Sequence, residues 1–333
     1  MMGGSANLLL GFVPVLLYLM ALVLLDSFKL VRRRDVGKSV GAGMLAALGS
    51  LAINSALVTY GGLRADALAP LVAPLVEETA KAAMVWWLIR TGRIGFLVDS
   101  AIHGFALGAG FALLENLYYA LTIGYSDVGL WLVRGLGTAL MHGGATAAFA
   151  ILGKGLSDRR GLRLRWFLPG LAIAVAVHAV FNLFVLPPLV AAGLLAAGMP
   201  LLLAAVFSRS ERATRDWLGV GMDRDVDALE QILSGEVVET RVGRYLAELR
   251  QRLPGSVVAD MLCMLRVQLE LSLRAKGMLM ARSAGIDLPP DDSVRENLAE
   301  MRFLEKAVGP VGRLAVKPLI QGKARWEREL LGG

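Results

Sequence analysis

The sequence predicts an all-α membrane protein: a polytopic bundle of about seven transmembrane helices over residues 1–207, then a soluble helical domain over residues 208–333. Three observations predict it. Apolar residues make up 56% of the chain, above the ~45–50% usual in soluble domains, and they concentrate before Ser208. The apolar runs are each about 20 residues long, the length that a ~30 Å hydrocarbon layer requires of a helix. Basic residues fill every second connection and are nearly missing from the others, as happens when alternate loops face the cytoplasm.

The spans follow in order as 7–25, 39–60, 67–89, 97–122, 129–152, 166–186 and 189–207. The first lacks a basic start and a small-residue cleavage site, so it reads as a retained helix rather than a removed signal. Within 97–122, Gly104, Gly108 and Gly110 allow close helix approach. Pro187 and Pro188 separate the last two spans; neither can continue a helix, and together they suit a tight extracytoplasmic turn. The basic connections hold Lys29, Arg32, Arg33, Arg34 and Lys38; then Arg90 and Arg93; then Lys154, Arg159, Arg160, Arg163 and Arg165; then Arg209, Arg212 and Arg215. The remaining loops hold only Arg64. This alternation places the N-terminus outside and the C-terminal region in the cytoplasm, in an integral, multi-pass protein.

The net charge of +7 is accounted for by those cytoplasmic loops, and no nucleic-acid motif is present, so no nucleic-acid partner is expected. Cys263 is the single cysteine, which excludes an internal disulfide, and its amphipathic surroundings predict a buried, inert thiol. Residues 222–333 read as several amphipathic helices with breakers between them. Asp291, Asp292 and Ser293 offer N-caps after Pro289 and Pro290. With no catalytic motif there, the region is expected to regulate or interact. It would bind a cytoplasmic partner or a substrate tail, or form a homodimer.

Ionisable groups at membrane depth are costly, which makes each a functional candidate. The third span carries Glu77, Glu78 and Lys81. Glu77 and Lys81 stand four apart in the favourable order for an ion pair, while Glu78 points ~100° away. The sequence therefore predicts that Lys81 offsets Glu77 and that Glu78 faces a cavity. The fourth span carries Glu115 and Asn116, with Phe111 one turn earlier; the fifth carries Arg134 and His142; the sixth carries His178 and Asn182. At 1.5 Å per residue, Glu78, Glu115, His142 and His178 lie within ~10 Å of one another in depth. His103 and Asp99 lie nearer the inner face and are read as structural.

Two neutral imidazoles and a carboxylate from different helices suit a zinc ion, with Glu115, His142 and His178 as ligands. A zinc-bound water has a pKa near neutrality, and a remaining glutamate can act as base. Without metal, a buried glutamate can deprotonate water while His and Asn stabilise the oxyanion. Either route hydrolyses a peptide bond. The sequence has no HExxH, and the spans hold no cysteine. A different class is a non-catalytic receptor or scaffold that signals through its C-terminal domain. A transporter is disfavoured by the lack of an inverted repeat.

The motifs "EETAK" (Glu77 to Lys81), "GFALLENLYY" with Phe111, Glu115 and Asn116, His142 preceded by Arg134, and "HAVFN" (His178 to Asn182) occur in that order on four successive spans. This run resembles the PrsW family of intramembrane proteases. That family is related to the CAAX-prenyl-protease and bacteriocin-processing membrane peptidases, whose run is EExxxR, FxxxH and HxxxN. The EExxK and FxxxE found here favour the PrsW branch. The match covers about residues 67–186. The resemblance implies a protease of membrane-anchored proteins in the bacterial cytoplasmic membrane, such as one cleaving an anti-sigma factor near its extracytoplasmic side. It implies Glu77, Glu78, Glu115, His142, His178 and Asn182 as the catalytic set, with Lys81, Asn116 and Arg134 in support, and it leaves zinc or no metal open. It does not extend to the C-terminal region.

Overall fold

The computed structural model describes residues 2–26, 30–64, 68–122, 127–286, 288–320, 327–328 and 330–332. Lys29 in the first basic loop and Ala67 at the start of the third expected span lie outside the described residues. Among the described residues every regular element is helical. The chain divides into two compact units, Met1–Glu211 and Arg212–Gly333.

The first unit contains α1 (Met2–Leu25), α2 (Arg33–Thr59), α3 (Ala73–Arg90), α4 (Leu97–Thr122), α5 (Val128–Arg160), α6 (Leu168–Asn182) and the first part of α7 (Pro188–Leu233). α3 is entered through a π-helical turn, Leu68–Val72, and α6 through a 3₁₀ turn, Leu164–Trp166. Five segments are long and apolar enough to cross a membrane: α2, α4, α5, Leu164–Asn182 and α7. The apolar stretch of α1, Leu9–Leu25, is shorter. α3 has 18 residues and carries Glu77, Glu78, Lys81 and Arg90, which make it too polar for that group.

The chain leaves the helix after Asn182 and re-enters at Pro188. Proline suits that first helical position because the N–H it lacks would have no intrahelical partner. The last span is expected to end at 207, and the helix that carries it, α7, runs on to Leu233. What changes near Ser208 is polarity, not backbone preference. No proline stands between residues 201 and 233 to stop the helix.

α4 is the central helix of this unit, with every residue from Val98 to Leu113 buried. It packs on α5 along one side and on α2 along another. Two glycines permit this. A Cβ on Gly108 would sit 2.2 Å from the His142 carbonyl oxygen of α5, and one on Gly110 would sit 2.0 Å from that of Val40 in α2. On the outer helices, large apolar side chains such as Leu16, Leu48, Val177 and Leu201 are exposed. Faces of this kind are solvated by lipid.

The second unit holds the rest of α7 with α8 (Arg241–Leu249), α9 (Gly255–Ser283), α10 (Asp292–Ala307) and α11 (Gly309–Val316). α9 buries the stripe Val258, Met261, Leu265, Gln268, Leu271, Ala275 and Leu279. Cys263 falls off that stripe and is exposed, contrary to the sequence expectation. Its neighbours on both sides face inward, but its own position does not. Asp291 caps α10 by accepting from Val294 N–H at 3.0 Å. Hydrogen bonds from Ser293 Oγ and Val294 N–H hold its carboxyl below the ordinary carboxylate range. A buried polar network also runs through the unit. Lys276 donates to Asp225 at 2.7 Å, Ser272 Oγ lies 2.6 Å from Asp225, and Gln268 donates to Glu327 at 3.0 Å. A cavity of about 430 Å³ lies beside it.

Candidate active site

The site is assembled from α3, α4, α5 and α6, with α2 closing one side. Its buried centre is an ion pair. Lys81 Nζ lies 2.5 Å from Glu78 Oε1, and the two side chains are 0% and 1% exposed. The pairing predicted for Lys81 was with Glu77. The structure corrects it, because residues three apart on a helix are neighbours as much as residues four apart. Glu78 and Lys81 share the face that α3 turns toward α5 and α6. Glu77 is rotated away from that face, toward α2.

The histidines complete this centre. Lys81 Nζ also lies 2.9 Å from His142 Nδ1, and His178 Nδ1 lies 2.9 Å from Glu78 Oε1. An ammonium only donates and a carboxylate only accepts. His142 Nδ1 therefore accepts from Lys81, which puts its ring proton on Nε2, and that proton is donated to Glu115 Oε2 at 3.0 Å. His178 donates its Nδ1 proton to Glu78, so its Nε2 lone pair is turned toward Glu77 Oε2, 3.8 Å away. The two rings meet edge to face with centroids 4.7 Å apart. Phe111 lies against His142 with ring centroids 4.9 Å apart and tilted by 42°, and Lys81 Nζ sits 4.4 Å from the Phe111 ring centre.

Glu115 is one-quarter exposed and is held from a second direction by Arg134, 3.3 Å away. Arg134 belongs to a π-helical stretch of α5, Val133–Thr138. It donates to Asn116 Oδ1 at 2.8 Å and lies over the Tyr119 ring at 3.7 Å. Asn116 in turn donates to the Gly11 carbonyl of α1 at 2.8 Å. The supporting roles expected of Asn116 and Arg134 thus have a geometric basis: the pair fixes the C-terminal part of α4 to α1 and α5. The backbone contact at Gly108 seats His142 beside the Phe111–Glu115 turn.

Glu77 occupies the open side. It is 14% exposed and its Oε2 has no hydrogen-bond partner. A cavity of about 150 Å³ borders Glu77 and Glu115. Glu78, expected to face that cavity, is instead enclosed with Lys81. Asn182 closes α6 one turn beyond His178 and is half-buried. His103 and Asp99 lie elsewhere: His103 Nδ1 is 2.8 Å from Ser39 Oγ, and Asp99 accepts from the Gly95 and Phe96 backbone N–H groups.

Glu77, His142 and His178 offer ligand atoms within 4.8 Å of one another. The expected metal set had Glu115 where this cluster has Glu77; Glu115 is occupied by Arg134 and His142. Two residues absent from the expected set also face the cavity, Ser50 and Asn54 of α2. Two polar residues four apart in an apolar span were the signal for them, but neither is ionisable, and the search for charges passed over both.

No curated protein and no solved structure matches the chain. A family described as PrsW family intramembrane metalloprotease matches residues 33–208, more than half of the length and all of α2 to α6. With that match the chain belongs to the PrsW family of intramembrane proteases.

Proposed function

We propose that this chain hydrolyses a peptide bond of a membrane-anchored protein, an anti-sigma factor or another regulatory protein, with the Glu77 carboxylate activating water. The state of Glu77 carries the reading. Its Oε2 is buried and unpartnered, 3.8 Å from His178 Nε2, on a cavity wall. Glu78 is already committed to Lys81 and to His178.

In this scheme Glu77 takes a proton from water as the water oxygen bonds to the peptide carbonyl carbon. The carbonyl π pair moves onto oxygen, which the Asn182 amide stabilises. Collapse breaks the C–N bond, and the proton held by Glu77 passes to the leaving amine. Glu78 orients His178, and Lys81 holds Glu78 in place. Glu115, held by Arg134, orients His142.

Zinc fits these residues. Two imidazoles and a carboxylate are a zinc donor set, and the open Glu77 Oε2 has no competing partner. His178 Nε2 is ready as it stands. His142 first gives up its Nε2 proton, a release that metal binding ordinarily entails. Zinc held there would act as a Lewis acid and lower the pKa of bound water. Glu115 is then the carboxylate left to take a proton. Metal analysis of purified protein separates the routes. One zinc per chain, lost in His142→Ala and His178→Ala, selects the metal-assisted route, and a metal-free active protein selects the glutamate route.

We place the protein across the bacterial cytoplasmic membrane in seven crossings, N-terminus outside, with residues 208–333 as a cytoplasmic domain for a partner, a substrate tail or a second copy. The alternating basic loops support this. The decisive test is Glu77→Gln assayed on a tethered substrate. Loss of a positioned base lowers rates by ~10²–10⁴, so cleavage should fall at least about 100-fold while the protein still inserts. Retained cleavage overturns the reading.

A further inference from the structure

α2 contributes an unusual wall to the cavity. Ala47, Ser50, Leu51 and Asn54 all line it, and their spacing of three, four and seven puts them on one helix face. Ser50 is 1% exposed, yet its Oγ has no hydrogen-bond partner. Helical hydroxyls elsewhere in this protein behave differently. Thr91, Ser100, Thr122, Thr146, Ser157 and Ser208 each donate to a carbonyl three or four residues back. That is the usual outlet for a helical hydroxyl, and Ser50 does not use it. One turn on, Asn54 gives its Nδ2 to Glu77 Oε1 at 3.5 Å and leaves its Oδ1 unpartnered. With Glu77 Oε2, three buried polar atoms that lack partners belong to residues that line one cavity.

The chemistry of the three atoms selects their occupant. Ser50 offers a hydroxyl donor, and Asn54 offers a carbonyl acceptor. A lipid chain answers neither; a peptide main chain answers both, through its C=O and N–H. A helical segment has already used those groups internally, so the guest must be unwound. The dimensions agree. Residues four apart on a helix are ~6 Å apart along its axis. An extended chain presents C=O and N–H on the same edge every two residues, about 6.6–6.8 Å. A space of about 150 Å³ has no room for a helix, which is ~10 Å across.

We propose that Ser50 and Asn54 grip the main chain of an unwound substrate segment and hold the scissile peptide against Glu77. The proposal rests on the proteolytic reading and adds its substrate class: membrane segments that lose helix easily at one end. Asn54 has a second task, because its amide also positions Glu77.

The test uses the full chain in lipid nanodiscs. The probes are two single-span peptides with a fluorophore and quencher. One has Gly-Pro in its outer third; the other is an uninterrupted leucine helix. Wild type should cleave the first and spare the second, and Glu77→Gln should cleave neither. Ser50→Ala should raise KM about five-fold with kcat nearly unchanged, the effect of one lost hydrogen bond. Asn54→Ala should raise KM and also lower kcat. If both variants match wild type while Glu77→Gln is dead, the grip is overturned and the protease reading stands. If wild type cleaves neither probe, or Glu77→Gln cleaves like wild type, the protease reading falls and the grip with it. A measurement without turnover runs in the Glu77→Gln, Cys263→Ser background. A cysteine in the outer third of the Gly-Pro probe should form a disulfide with Leu51→Cys, which lines the cavity, and not with Leu48→Cys on the exposed face. Equal trapping at both positions, or none, overturns the grip.

Discussion

Glu77 and Glu78 are adjacent in sequence and opposite in circumstance, and substitutions should separate them. Removing one partner of a buried ion pair strands the other, at a cost of ~3–5 kcal/mol. Lys81→Met should therefore destabilise the protein by about that much, read as thermal unfolding in detergent. The double change Glu78→Leu with Lys81→Met should recover much of the loss, since no charge is left behind. Glu77→Gln should leave the unfolding temperature unchanged, because Glu77 Oε2 has no partner to lose. The sequence could not divide these roles. Spacings of three and four both permit a pair with Lys81, and the choice is made by what α5 and α6 bring: His142 against Lys81 and His178 against Glu78. Helix rise alone brought the two histidines within ~10 Å of one another in depth and set His103 apart from them, where it meets Ser39.

The helices were the most legible level. Apolar length marked five of the predicted spans, and Pro187 with Pro188 marked the break before α7. A shift toward charged residues reports a change of solvent and not a stop in the backbone, so α7 continues past Ser208 to Leu233. The π-helical turns at Leu68–Val72 and Val133–Thr138 left no composition signal. Glycine placement also yields a prediction. Gly108→Ala would force α4 and α5 apart at His142, and a shift of ~1 Å at a catalytic group can cost about 100-fold in rate. Gly41→Ala meets nothing within 4 Å. It should preserve cleavage and stabilise α2 by up to ~1 kcal/mol, the usual gain for alanine over glycine in a helix. Cleavage and unfolding assays on the two variants check both statements.

For the molecule as a whole, orientation is the open quantity with the simplest probe. The exposed thiol of Cys263 should resist a membrane-impermeant maleimide in intact cells and react once they are lysed. Labelling in intact cells would reverse the topology. A cysteine introduced at Pro187, in the expected extracytoplasmic turn, should behave in the opposite way in a Cys263→Ser background. The composition break predicted two regions, and the structure divides the chain at Glu211 and Arg212. The buried Asp225–Lys276 pair inside the second unit was not legible, because its partners lie on different helices, far apart in sequence.

The contacts at Gly108 and Gly110 also bear on the thermodynamics of recognition. Where helices touch through backbone, no rotamers remain to be frozen when a guest arrives. The ordering of α4 and the groups it seats is complete once the chain has folded, so the entropy lost on binding falls mainly on the incoming segment. On the proposed grip of an unwound segment, selectivity follows from the substrate's own disorder. Two segments of equal side-chain chemistry should differ in cleavage as they differ in the free energy of fraying, and warming should narrow the gap between them.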